Sequence, residues 1–373
     1  MAPHLVLIGG GHTHALVLRA LIGRPATGLR LTLIDPEPRA AYSGMLPGFV
    51  AGHYRLDQLQ IDLARLARAA GARLILGRAD GLDTGNRRVH VAGQTPVPYD
   101  IASLDIGISS DLPGLPGFAA HAVPAKPLGP FAARWQGFAA DAAAGLAAPR
   151  VTVIGAGVAG VELALAAQYR LAGAGRVPEI TLLDAAPEIL RDVRPPARAA
   201  MTDRLARQGI VLRTGVRVAR IEAAGAVLDS GEQIPAGLVI GAAGTRPQGW
   251  LAGTGLHLTD GFVTVDETLR AVSDPGVFAA GDCAHLSHAP RPKAGVFAVR
   301  EAPVLRENLI AALTGRPLTA YRPQKEYLKL ISMGEKRAAA DRWPVRIEGR
   351  WVWRWKDRID RRFMAQFHDR PGA

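Results

Sequence analysis

The start of the chain alternates short apolar runs with a glycine turn and one stretch of helical spacing. Residues 5–8 are all apolar and are followed by three glycines, and a second apolar run, 31–34, ends in Asp35. Between them, apolar residues recur every three or four positions up to Ile22. Short apolar runs bounded by glycine are typical of buried parallel strands. The pattern predicts a strand, a glycine turn, a helix and a second parallel strand.

The same pattern recurs in the middle of the chain. Residues 151–154 are apolar except for Thr152, and residues 155–160 read Gly-Ala-Gly-Val-Ala-Gly. A helical spacing follows, and a second mainly apolar run, 180–183, ends in Asp184. Glycines let the backbone approach a pyrophosphate, the helix N terminus offers free N–H groups, and the acid accepts ribose hydroxyls. We therefore predict two dinucleotide sites, formed by Gly9, Gly11, His12, His14 and Asp35 and by Gly155, Gly157, Gly160 and Asp184.

The first glycine turn departs from the second at its third glycine position, which is His14. A side chain there either widens the contact between helix and strand or reaches the phosphates. A metal pair with His12 would lack a third ligand, so no metal site is predicted.

The acid of the second unit favours NADH over NADPH, because Asp184 would repel a 2′-phosphate. Arg191 and Arg194 lie nearby and weaken this preference, since an arginine can accommodate the extra phosphate.

Each unit is followed by short strands and a closing strand. After the first come a helical pattern over 57–70, strands near 73–76 and 89–91, and a closing stretch near 99–107. Residues 112–130 then hold five prolines, which predicts a stiff crossover between domains. The segment from 211 to 241 repeats this plan and leads to Gly244. Such repetition indicates an internal duplication.

Composition narrows the class of protein. The length of 373 residues fits two nucleotide-binding domains with an appendage, and the apolar fraction of 48% fits a globular core. The net charge of +12 suits a phosphate-bearing cofactor, a membrane surface or nucleic acid. A single cysteine, Cys283, excludes a disulfide framework, a zinc finger and a CxxC pair, and we predict that it is buried packing.

Targeting signals do not stand out. No signal peptide is visible, and the most apolar stretch, 151–167, is too short to span a bilayer and contains Glu162. We expect a cytoplasmic protein that is soluble or peripheral on the inner face of a membrane.

A third motif, Val-Phe-Ala-Ala-Gly-Asp at 277–282, lies far downstream of both turns. With them it resembles the pyridine nucleotide–disulfide oxidoreductase superfamily of flavoproteins. The resemblance implies FAD and NADH or NADPH as cofactors, with Gly281 and Asp282 at the flavin's ribityl and phosphate region. It also implies an α/β fold of two Rossmann-like three-layer domains, the NAD domain inserted into the FAD domain, plus a small C-terminal α+β region. The expected bounds are 1–110 and 261–320 for FAD, 111–260 for NAD(P)H and 321–373 for the C-terminal region.

Four strings give a narrower resemblance: GGGHTH, AYSGMLPGFVAGHY, VPAKPL and WVWRWKDRIDRRFM. They resemble the flavoprotein module found fused ahead of selenide, water dikinase, which is itself similar to type II NADH dehydrogenases. The kinase half is absent here. Two alternatives stay open beside an NAD(P)H dehydrogenase: a reductase linked to selenium or sulfur, and an NADH-sensing flavoprotein with little turnover.

The resemblance also implies roles for individual residues. Where disulfide reductases carry a redox cysteine pair, residues 42–48 hold no cysteine, so electrons must leave to a diffusible acceptor. A quinone-like or other small acceptor, such as a dye or oxygen, and another protein are the alternatives. Glu162 would approach the nicotinamide and the flavin, and a helix from 293 to about 313 would point its N terminus at the flavin. The remaining expected cofactor contacts are Pro47, Gly107, Gly244, Gly295 and Val296, and Lys126 and Lys329 are the other catalytic candidates.

The segment 342–370 holds nine Lys or Arg against four Asp or Glu, with six interleaved Trp and Phe residues. A basic aromatic helix can lie on an anionic membrane, which a quinone reductase would require. It can equally dock on the flavin domain or pair two subunits. No recognised motif supports nucleic-acid binding.

Overall fold

A computed structural model describes residues 2–23 and 28–368. The helices in these ranges are α1 (His12–Leu21), α2 (Leu46–Val50), α3 (Leu63–Ala69), α4 (Phe118–His121), α5 (Leu128–Ala144), α6 (Val158–Gly173), α7 (Pro195–Arg207), α8 (Gly295–Thr314) and α9 (Arg350–His368).

The strands in the same ranges are β1 (His4–Ile8), β2 (Arg30–Asp35), β3 (Arg39–Ala41), β4 (Gln60–Asp62), β5 (Arg73–Leu76), β6 (Ala79–Asp83), β7 (Arg88–Val91), β8 (Val97–Pro98), β9 (Ile101–Leu104), β10 (Ala122–Pro124), β11 (Arg150–Ile154), β12 (Glu179–Leu183), β13 (Val211–Arg213), β14 (Val218–Glu222), β15 (Gly225–Leu228), β16 (Gln233–Pro235), β17 (Leu238–Gly241), β18 (Leu258–Thr259), β19 (Phe262–Val265), β20 (Val277–Ala279), β21 (Ala284–Leu286), β22 (Lys329–Met333), β23 (Glu335–Asp341) and β24 (Glu348–Gly349).

Two five-stranded parallel sheets form the core. The first has the order β20-β9-β1-β2-β5 and the second β10-β17-β11-β12-β13. Every residue of β1, β9 and β20 is buried, which explains the unbroken apolar runs. The mixed α/β architecture confirms the predicted fold class.

The connectivity of the two sheets is nested. Strand β20 pairs with β9, although the whole second sheet lies between them in sequence. An inserted second unit produces this order. The bounds at residues 110, 260 and 320 stay a prediction.

The helix predicted over 57–70 is wrong in its first half. Residues Leu56–Leu59 form a 3-10 turn, β4 follows and pairs with β3, and α3 begins only at Leu63. The cause is local, because the Asp62 carboxylate accepts a hydrogen bond from Arg65 N at 2.8 Å and caps a new helix there.

The proline-rich segment 112–130 is more than a stiff crossover. It contains α4 and β10, and β10 forms the edge of the second sheet by pairing with β17. Pro124 is tolerated in β10 because an edge strand does not need every N–H group.

The C-terminal region is a small α+β layer, in which β22, β23 and β24 form an antiparallel sheet against α9. The far end of α9 docks on the first unit, where Arg19 Nε donates to Gln366 O at 2.8 Å and Arg65 bonds Phe367 O. One role of this helix is therefore to dock on the first unit. In the ranges that the structure covers, no helix has the length and apolarity needed to cross a bilayer.

Candidate dinucleotide and electron-transfer site

The acids at the ends of β2 and β12 hold the two glycine turns in the same way. Asp35 Oδ2 accepts from Gly10 N at 2.6 Å, and Asp184 Oδ2 accepts from Ala156 N at 2.6 Å. The other carboxylate oxygen of each accepts from the N–H two residues onward, at 2.9 Å for Asp35 and 2.7 Å for Asp184. Each acid is thus fixed beside its turn with lone pairs left for a ribose.

The glycines form two close cradles. Gly9 and Gly155 have φ of 90° and 107°, which favours glycine, and a Cβ on Gly155 would lie 2.6 Å from Ala243 N. A Cβ on Gly160 would collide with Gly155 O, whereas the space at Gly157 is open. In the second turn the backbone is crowded below and open above, as a bound pyrophosphate requires, whereas a Cβ on Gly11 of the first turn would meet the Asp105 carboxyl at 2.5 Å. Both turns thus need glycine for close backbone approach, which fits two dinucleotides.

His14 lies beneath the first turn. It is fully buried, and its ring nitrogens lie 2.7 Å from Gly9 O and 2.8 Å from Ser103 Oγ. Burial lowers its pKa to about 4, so the ring is neutral. Both ring nitrogens of His14 are therefore engaged inside the protein, which gives no support to a contact with the phosphates.

Two helix N termini meet at one place. His12 is the first residue of α1 and Gly295 the first of α8, and these helices pack together with Val296 in the first turn of α8. The His12 ring is enclosed, with its centroid 5.3 Å from that of Tyr42, and burial lowers its pKa to about 4. Paired N termini stabilise negative charge on whatever binds between them. Pro47, another expected cofactor contact, is buried within α2.

Asp282 and Lys126 join the two units. Lys126 follows the edge strand β10, and its Nζ lies 2.9 Å from Asp282 Oδ2. Both side chains are only partly exposed. The neighbouring Gly281 has φ of 67° and donates its N–H to Glu301 Oε2 at 2.6 Å. The pair therefore lies where the first sheet and the inserted unit meet.

Sequence reasoning missed a buried carboxyl beneath the first turn. Asp105 directly follows β9, is 4% exposed, and accepts from His14 N at 2.8 Å. Its carboxyl crowds Gly11 and Gly281, and burial raises its pKa to about 7. The available signal was an acidic residue directly after a fully buried strand, at the same sheet edge as the glycine turn.

Glu162 is a buried carboxyl of the second unit. Its Oε1 accepts from Ser332 N of β22 at 2.6 Å. Burial raises its pKa to about 7, and the charge of Lys356 opposes that shift. Glu162 is therefore held at the contact between α6 and the C-terminal region.

The other candidates are more scattered. Lys329 pairs with Asp341 at 3.2 Å and donates to Asp192 O, and no contact joins it to Lys126 or Glu162. These contacts make it an anchor of the C-terminal sheet and give no support to a catalytic role. Gly107 and Gly244 are exposed just after closing strands β9 and β17.

Cys283 is buried, and burial raises its pKa to about 12, which confirms it as a packing residue. Within the described ranges, no group of three or more His, Cys, Asp or Glu side chains could hold a metal ion.

Two nested parallel sheets, each with an acid-held glycine turn, define the class of two-dinucleotide flavoproteins. The chain belongs to the pyridine nucleotide–disulphide oxidoreductase family, which it matches over residues 3–302. This confirms the broader resemblance drawn from the motifs, an oxidoreductase with FAD and NAD(P)H as its cofactors. The narrower likeness to the module fused to selenide, water dikinase stays a prediction.

Individual relatives give further comparisons. The chain is 31% identical to the NADH dehydrogenase-like protein Rv1812c of Mycobacterium tuberculosis over 61% of its own length and 59% of that protein, so it matches less than two thirds of this relative. It is 25% identical to the demethylphylloquinone reductase NdbB of Synechocystis, covering 89% and 85% of the two chains. It shares the fold of NDH2 from Plasmodium falciparum, with a TM-score of 0.80 at 14% identity over 99% and 98% of the chains.

Proposed function

We propose that the protein takes a hydride from NADH, in preference to NADPH, and passes electrons through FAD to a quinone-like acceptor without a redox disulfide. The main support is a pair of glycine turns, Gly9–Gly11 and Gly155–Gly160, one on each of two parallel sheets. The Lys126–Asp282 ion pair joins the two units. That arrangement supports two coenzymes lying end to end across one boundary.

The described side chains suit FAD in the first cradle. Gly9, Gly11, His12 and Asp35 would surround its diphosphate and ribose, and Asp282 its ribityl chain. The paired N termini of α1 and α8 would face the ring. Bound FAD would supply the chemistry of hydride acceptance and electron release. The chain's own task is to orient the two rings and exclude water.

The choice of pyridine nucleotide rests on Asp184. Its carboxylate is fixed by Ala156 N and Ala186 N at the end of β12. A 2′-phosphate there would meet a negative charge that cannot move away. The nearby Arg194 is engaged by Glu326 at 2.7 Å, which reduces its availability to a second phosphate.

The cysteine chemistry supports an acceptor that is not a disulfide of the enzyme. Cys283 is the one cysteine of the chain and is buried with a raised pKa, so it does not form a catalytic disulfide. A named quinone reductase among the relatives, NdbB, favours a quinone.

The outer face of α9 supports peripheral membrane association. Trp351 and Ile359 are 56% and 44% exposed, the Trp351 and Trp355 rings stack, and Arg354 and Arg358 lie exposed between them. Aromatic and basic side chains on one helix face suit the interface of an anionic bilayer. A quinone dissolved in the bilayer would then be within reach.

The test is anaerobic rapid mixing of the FAD-loaded protein with NADH and with NADPH. We expect NADH to bleach the flavin absorption within seconds and faster than NADPH, and a short-chain quinone to restore it. A flavin that neither nucleotide bleaches would overturn the proposal. A slow bleach with no quinone-driven recovery would favour the sensor alternative.

A further inference from the structure

The inward face of α9 carries two charges at its centre. The residues on this face follow helical spacing and are Val352, Lys356, Asp360, Met364 and Phe367. Asp360 is 3% exposed, and the Lys356 side chain is 13% exposed. An ammonium and a carboxylate on a packing face lose hydration that an apolar pair would not, so packing alone does not explain them.

These charges belong to a continuous hydrogen-bonded chain. Lys356 Nζ lies 2.6 Å from Asp360 Oδ2 and 2.6 Å from Gly44 O. The Tyr42 hydroxyl donates to Asp360 Oδ1 at 3.1 Å. Burial raises the pKa of Tyr42, so this residue stays a neutral phenol that can give a proton only as it receives another.

One end of this hydrogen-bonded network lies near the proposed flavin site. The Tyr42 ring contacts His12, the first residue of α1, which lies beside Gly295 at the start of α8. At the other end, α9 packs against β22, whose Ser332 N donates to Glu162 Oε1, and the charge of Lys356 opposes the raised pKa of that carboxyl. An ammonium, a carboxylate and a phenol thus connect the region of Glu162 with the paired helix N termini.

We propose that Lys356, Asp360 and Tyr42 relay a proton to the electron acceptor. The inference rests on the proposed function, whose overall balance is NADH + H⁺ + quinone giving NAD⁺ + quinol. The hydride from NADH carries two electrons and one proton, so the second proton comes through the protein. Lys356 first gives a proton to Asp360, whose neutral carboxyl then donates to the Tyr42 oxygen, so the hydrogen bond between these two side chains reverses. The Tyr42 O–H bond breaks as a quinone oxygen takes that proton, the Asp360 proton passes to the Tyr42 oxygen, and Lys356 regains a proton from the solvent.

The protein contains a matched control for this relay. Tyr54 donates to Asp357 Oδ1 at 2.6 Å, so a second tyrosine–aspartate pair joins the same two segments of chain. Asp357 is also bonded by Arg361 at 2.9 Å and is partly exposed. This outer pair shares the anchoring of α9 but lies outside the chain of groups that reaches His12.

The experiment compares Tyr42→Phe with Tyr54→Phe, each loaded with FAD. Rapid mixing measures bleaching by NADH, recovery with a short-chain benzoquinone, and recovery with ferricyanide, which accepts electrons without protons. We expect Tyr42→Phe to slow recovery with quinone on the order of 100-fold, the usual size of a lost proton donor. The rates of its bleaching by NADH and of its recovery with ferricyanide should stay within about twofold of wild type. All three rates of Tyr54→Phe should also stay within about twofold.

Two outcomes overturn the relay while leaving the proposed function intact. In one, Tyr42→Phe and Tyr54→Phe slow quinone recovery equally, which indicates anchoring alone. In the other, Tyr42→Phe slows ferricyanide recovery as much as quinone recovery. Failure of NADH to bleach the wild-type flavin would instead overturn the proposed function and the relay together.

A second variant separates the relay from folding. Replacing the ion pair with Lys356→Met and Asp360→Leu removes both partners together, which is often neutral or stabilising. We expect the double variant to keep FAD and its melting temperature while losing the same factor in quinone recovery. Full quinone recovery in a folded double variant would overturn the relay.

Discussion

At the scale of single residues, buried carboxyls distinguish the first nucleotide turn. Asp105 and Glu301 are 4% and 2% exposed, and burial raises the pKa of each to about 7. Neither has a cationic partner at hydrogen-bond distance in the described residues, and the ligands around them are backbone N–H groups. Both carboxyls thus lie where an anionic diphosphate would disfavour their ionised form further.

This burial predicts a pH-dependent stability effect at Asp105. A pKa raised above its unfolded value means that the folded state binds the proton more tightly, so stability falls as pH rises from about 4 to about 7. Asp105→Asn removes the ionisation and keeps an oxygen for His14 N. We expect its melting temperature to exceed that of wild type by several degrees at pH 8.5 and to converge with it near pH 4.5.

The measurement is a thermal melt of both proteins across that pH range. Asp57→Asn is the control, because this carboxylate is exposed and its pKa is lowered by Arg55 rather than raised. A melting difference for Asp105→Asn that does not change with pH would contradict the argument.

At the scale of elements, α9 has two faces with different tasks. Its inward face docks on the flavin-binding unit and carries Lys356 and Asp360, and its outward face shows Trp351, Ile359 and arginines to solvent. The outward apolar side chains are not needed to hold the helix. The same helix can therefore be docked on the protein and available to a lipid surface.

Membrane binding should depend on that outward face. We expect the wild-type protein to sediment with vesicles of phosphatidylglycerol and phosphatidylcholine, and Trp351→Ser with Ile359→Ser to weaken this roughly tenfold or more, because two apolar side chains leave the interface. Val177→Ser, at an exposed valine elsewhere, is the control. Equal sedimentation of all three proteins would contradict membrane association through α9.

Elements also show where sequence reasoning succeeded. Short, mainly apolar runs located β1, β2, β11 and β12 to within a residue or so, because strands buried on both faces are rich in Val, Ile and Leu. The prediction of one helix over 57–70 was wrong in its first half because the Asp62 side chain caps a new helix there. Hydrophobic periodicity does not detect such a cap. Capping and edge pairing are specified by single residues, whereas periodicity averages over many.

At the scale of the whole molecule, the candidate site combines parts that are distant in sequence. The glycines and acids of the two turns could be predicted, because each turn is local. The contacts Tyr42–Asp360 and Glu162–Ser332 could not, since they join residues more than 150 positions apart and depend on how α9 and β22 pack. The sequence motifs containing Tyr42 and Asp360 were both recognised, but nothing in them indicated that these two side chains are in contact.

Net charge should act on the rate of nucleotide capture. The chain carries +12 at neutral pH, and NADH is an anion, so their encounter is favoured at long range. Raising NaCl from about 20 mM to about 200 mM shortens the screening length from roughly 20 Å to roughly 7 Å. We expect the second-order rate constant for flavin bleaching to fall several-fold, and the limiting rate at saturating NADH to stay unchanged. A limiting rate that falls in parallel would show that salt acts on the site itself.

The nested order of the two sheets has a consequence for biosynthesis. While the nascent chain leaves the ribosome, β9 has one open side, because its neighbour β20 begins only at Val277. The second sheet is complete by Gly241, so it can form first on the growing polypeptide. The flavin cradle, which also needs α8, is therefore completed after the second sheet. Until then the young protein exposes the unpaired edge of β9, which can aggregate or bind a chaperone.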